Sequence, residues 1–115
     1  MVEAYERALE RLLRVDGVRA ALLVDADMGV PVVMEVDSDV DGNATAALAA
    51  ELFRRTARGS DLAGAGRLRT LQLAASGGYL HVAGAGEMLI VALAAPDAQL
   101  ASLSVEASRA VEALA

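Results

Sequence analysis

Two stretches of this chain carry no charged side chain and almost no polar one: Ala20-Ala21-Leu22-Leu23-Val24 and Met88-Leu89-Ile90-Val91-Ala92-Leu93-Ala94. A strand with one wet face alternates apolar and polar residues, whereas a continuous apolar run of strand length demands cover on both faces. The two runs therefore predict the middle of a sheet, and the remaining segments must supply what covers it. At 115 residues the chain has room for one domain and not two, so a single domain over 1–115 is expected.

Turn signals divide the remainder. Residues 2–14 have helical spacing, with Tyr5, Leu9, Leu12 and Leu13 on one face, and Asp16-Gly17 ends the helix. A first strand covers 18–26, Asp27-Met28-Gly29 turns, and a second strand covers 30–36. Pro31 lacks the amide proton that a central strand must donate, which puts this strand at an edge. A long helix follows an acidic loop and spans about 44–63, with Asp41 or Asn43 as its cap, Gly59 in its interior and Gly64-Ala65-Gly66 as its stop. Three strands, 67–75, 79–83 and 88–94, are joined by turns at Ser76-Gly77-Gly78 and Gly84-Ala85-Gly86. Leu71, Leu73 and Ala75 point one way along the first of these, and Thr70 and Gln72 the other. Pro96-Asp97 opens a final helix striped by Leu100, Leu103, Ala107, Ala110 and Val111. Short turns make sequential strands antiparallel, so the class is α+β: one antiparallel five-stranded sheet with three helices, in the order αββαβββα.

Composition removes whole classes of function. There is no Cys for a thiolate or a zinc cluster, no Lys for a Schiff base or a phosphate loop, and one His, too few for a two-His metal site. A net charge of −6 argues against nucleic acid. No stretch is apolar for the roughly 20 residues that a membrane span needs, and the N-terminus has no apolar signal core, so a cytoplasmic protein is expected. Asp37, Asp39, Asp41 and Gly42 fit the opening of a calcium loop, but its twelfth position is Leu48 instead of a bidentate Glu; carboxylates ahead of a helix N-terminus have a simpler use in its dipole field. Gly64-x-Gly66 and Gly84-x-Gly86 lead into strands and offer no helix terminus to a phosphate. His81 has no paired nucleophile or second His and reads as a packing or surface residue. No catalytic residue, metal site or cofactor is assigned, and the protein is expected not to be an enzyme.

The middle helix is the informative element. At 100° per residue, Thr45, Leu48, Leu52 and Thr56 form one arc; Ala46, Ala49, Ala50, Phe53 and Ala57 form a second beside it; Glu51, Arg54, Arg55 and Arg58 take the remaining side. One apolar arc suffices to dock on the sheet. The other asks for separate cover. Small residues let helix backbones approach closely, so Ala46, Ala49, Ala50, Phe53 and Ala57 are assigned to a contact with a second protomer.

The segment from Gly17 to Val32, with its acidic turn Asp25-Ala26-Asp27-Met28-Gly29, is similar to the roadblock (dynein light chain-type) family, as are Gly77-Gly78-Tyr79-Leu80, Leu89-Ile90-Val91-Ala92-Leu93 and Pro96-Asp97-Ala98-Gln99-Leu100. The resemblance covers nearly the whole chain and is to bacterial MglB-like members. It implies sheet order 2-1-5-4-3 and a homodimer in which middle helices pack together and third strands meet, bringing Leu71 and Leu73 to the interface. It also implies a non-catalytic platform that binds and regulates a small Ras-like GTPase without donating an arginine finger, and Arg54, Arg55 and Arg58 are expected to contact that partner. Two other readings stay open: these arginines as a solvated helix face, and the protein as a small sensory domain binding a metabolite between sheet and helices.

Overall fold

The computed structural model describes residues 2–114. Residues 1 and 115, included in the expected domain, lie outside the described residues. The elements are α1 (Val2–Leu13), β1 (Val18–Asp25), β2 (Pro31–Val36), α2 (Gly42–Leu62), β3 (Thr70–Ala75), β4 (Gly78–Ala85), β5 (Met88–Ala94) and α3 (Leu100–Leu114). The strands form one antiparallel sheet in the order β2-β1-β5-β4-β3. The two apolar runs, β1 and β5, pair along their length near the middle of the sheet, and the Pro31 strand lies at an edge, both as their side chains require.

The sheet is covered on both faces. Ala21, Leu23, Ile90 and Ala92 face α1 and α3, packing with Leu9, Leu12, Leu103 and Ala107. The alternate residues Ala20, Leu22, Val24, Leu89 and Val91 face α2. Each fully buried Leu or Ile contributes roughly 1.5–3 kcal/mol over an exposed one, and Leu9, Leu12, Leu22, Leu23, Leu89, Ile90 and Leu103 are all in that state.

Boundaries moved where backbone hydrogen bonds override side-chain pattern. The expected strand 67–75 begins only at Thr70, because the chain arrives through Gly64 and Gly66 at φ +76° and +86°. β4 runs through Gly84, which pairs with Leu89, so that glycine is not in the turn; Gly86, at φ +66°, is. Asp41 caps α2, its carboxylate accepting from the Ala44 amide at 3.0 Å, and Gly59 lies inside the helix as its surroundings suggested. β2 carries a bulge opposite Leu23 and Val24, one residue past Pro31.

Candidate functional site

The site is built from α2 and the edge strand β3. Ala46, Ala49 and Ala50 are 0% exposed in the isolated chain, packed on the Leu and Val side chains of β1, β4 and β5. This corrects the assignment of Ala46, Ala49 and Ala50 to a contact with a second protomer. The sheet presents bulky residues on this face, so a helix sits close only where its own residues are small; the arc chosen for a neighbouring helix fits its own sheet instead. Phe53 and Ala57, from the same arc, are partly buried at the end of the sheet, with Phe53 beside Gly84.

The other arc turns outward. Leu48 is 50% exposed, and Thr45, Leu52 and Thr56 are half-buried beside it. α2 lies over β1, β2, β4 and β5. Beyond its reach, Leu73 on β3 is 43% exposed, while Leu71 is half-buried against the α2-side core. Leu48 and Leu73 line one shallow cleft of about 190 Å³ with Leu80 and Leu93 at its base. The outer arc of α2 and the same face of β3 thus form one apolar surface. The arc was visible in the helical spacing; its role as the outer one was not.

The arginines differ from one another. Arg54 donates to the Ala26 carbonyl at 3.1 Å, tying α2 to the turn between β1 and β2. Arg55 pairs with Glu51 at 3.2 Å. Arg58 forms no ion pair among the described residues. Sequence reasoning missed Arg19, which holds the acidic loop through Asp39 at 2.6 Å and Asp37 at 3.7 Å. With Asp41 serving as the cap, each of the three loop aspartates has a partner within the chain.

His81 is 5% exposed. Its Nδ1 lies 3.2 Å from Gln72 Oε1 across the β3–β4 pair, and its Nε2 is buried with no partner among the described residues. Burial pulls its pKa below the ordinary 6.5. Among the described residues no group of three or more His, Asp or Glu is placed to hold a metal ion, and no helix is long and apolar enough to cross a membrane.

An antiparallel sheet ordered β2-β1-β5-β4-β3, with one helix on one face and two on the other in the sequence αββαβββα, is the roadblock arrangement. The Roadblock/LC7 domain family matches residues 4–94, and the chain belongs to that family. No curated protein matches the sequence. Among solved structures, the gliding protein MglB of Thermus thermophilus is 28% identical with a TM-score of 0.84, covering 97% of this chain and 86% of that one. A structure described as MglB with tetrameric arrangement is 30% identical, TM-score 0.82, covering 96% and 87%. A Roadblock/LC7 domain from Streptomyces avermitilis shares the fold, with 24% identity, TM-score 0.83, and coverage of 92% and 90%.

Proposed function

We propose that this roadblock domain is a cytoplasmic, non-catalytic homodimer that binds and regulates a small Ras-like GTPase. The observation that carries the reading is the apolar surface continuing from Leu48 and Leu52 on α2 to Leu73 on the edge strand β3. A monomer gains nothing from leaving two leucines half in water beside an unpaired strand edge. A second copy related by a two-fold axis covers both at once, joining β3 to β3 and the outer α2 arcs to each other. The interface residues in this arrangement are Thr45, Leu48, Leu52, Thr56, Leu71 and Leu73, not the alanine arc. The likeness to gliding-protein MglB, at 28–30% identity over nearly the whole chain, supports a role in GTPase regulation.

Pairing the helices also gathers Arg54, Arg55 and Arg58 from both copies on one side of an otherwise acidic protein. Guanidinium groups suit forked contacts with carboxylates of a partner and speed its approach. Arg54 is tied to a backbone carbonyl and Arg55 only to the exposed Glu51 side chain, so Arg55 and Arg58 are the freer to carry the partner contact. Titration calorimetry of the dimer against a Ras-like GTPase loaded with a non-hydrolysable GTP analogue tests this. Tight binding of wild type is expected, with binding weakened at least about tenfold in the Arg55→Glu/Arg58→Glu protein. Undiminished affinity in that variant removes the arginines from the contact, and no binding by wild type ends the GTPase reading.

A further inference from the structure

At the end of the sheet where α2 finishes and the chain returns through 63–69 into β3, a cavity of about 470 Å³ opens. It borders both α2 and α3, and Phe53, Ala57, Leu68, Ala83 and Val111 supply its apolar lining. The volume falls within the roughly 300–1,000 Å³ typical of small-molecule sites. Four charged residues also line it: Arg67 and Arg69, and Asp61 and Glu112. None of the four forms an ion pair among the described residues.

Gly84 is part of the same lining, and its presence there needs a reason. It lies within β4, and unlike Gly78 or Gly86 it does not adopt positive φ, so the backbone would accept any residue. A Cβ at this position would stand 3.1 Å from Phe53 Cζ, tighter than ordinary contact. The missing side chain leaves the phenyl ring its place beside the cavity.

We propose that this cavity binds a small zwitterion with an apolar side chain, of the apolar α-amino acid class. Two guanidinium groups answer a carboxylate, two carboxylates answer an ammonium group, and the lining beside Phe53 takes the apolar side chain. A simple carboxylic acid would meet Asp61 and Glu112 with like charge, and a simple amine would meet Arg67 and Arg69 in the same way. The site uses a different surface from the Leu48–Leu73 face and does not depend on the GTPase reading.

The chain has one Phe, so labelling phenylalanine rings with a heavy isotope reports on Phe53 alone. The 115-residue protein is titrated with unlabelled L-phenylalanine, and separately with phenylpropionate and phenethylamine, which each lack one of its charges. A saturable shift of the ring signals with L-phenylalanine is expected, with both analogues at least about tenfold weaker. Arg67→Gln/Arg69→Gln and Gly84→Ala should each weaken binding about tenfold, while the amide spectrum elsewhere stays that of wild type. No saturable shift up to about 10 mM overturns the proposal. Phenylpropionate binding as tightly as L-phenylalanine overturns the zwitterion class. Ring signals that move with protein concentration and not with ligand show a second copy filling the cavity, which also overturns it.

Discussion

At the scale of single residues, two positions show how little freedom the sheet leaves. Gly78 opens β4 at φ +141°, and a Cβ there would collide with the Ala94 carbonyl oxygen across the β4–β5 pair. Gly78→Ala therefore combines an unfavourable backbone conformation with a steric clash, and a loss of about 2–4 kcal/mol is expected from urea unfolding. His81 is the second. Its buried ring takes up a proton less readily in the folded protein than in the unfolded chain, which protonates near the ordinary pKa of 6.5. Stability is thus full above pH 6.5 and falls as pH drops from there toward the lowered folded pKa. The melting temperature should decline as pH drops below 6.5, and His81→Leu should remove the part of that decline due to this residue. An identical acid dependence in the variant would assign the decline to other groups.

At the scale of elements, α2 has two apolar arcs that mutations can separate. Ala50→Glu places a charge in the layer between α2 and the sheet, where Ala50 is 0% exposed, and should unfold the chain or cost about 3–5 kcal/mol. Leu48→Glu, at a half-exposed position, should leave circular dichroism unchanged while abolishing the dimer in light scattering. A Leu48→Glu protein that remains dimeric sinks the proposed interface. The same pair of arcs marks what was legible in the sequence. Continuous apolar runs in β1 and β5 report burial on both faces and Pro31 in β2 reports an edge, so they led directly to the central and edge strands, while the full strand order came from the resemblance. Helical spacing reported that α2 has two apolar sides, but the choice between them rests on volume. Alanines fit over Leu22, Val82 and Leu89, and those strand residues are distant in sequence. For the same reason the Arg19 contacts with Asp37 and Asp39 and the anchoring of Arg54 at the Ala26 carbonyl were out of reach: each depends on where another element ends.

At the scale of the whole molecule, a dimer built on β3 and α2 ties folding to association. Its melting temperature should rise with protein concentration, because mass action favours the paired state, while the Leu48→Glu protein should melt at one temperature throughout. A wild-type melting point independent of concentration from about 1 to 100 μM would show either a monomer or a dimer far too tight to dissociate, and size measurement at the lowest concentration separates the two. The opposite border of the sheet sets the limit of such growth. There the strand begins with Pro31 and is kinked by a bulge, features that resist the addition of another strand. In the proposed dimer each copy would therefore have one pairing border, β3, and one blunt one, β2. A head-to-tail repeat along the sheet would need two compatible borders, and Pro31 and the bulge in β2 oppose it. In the proposed dimer, adding protein would multiply pairs without adding strands to the sheet, so the platform would grow in number and not in length.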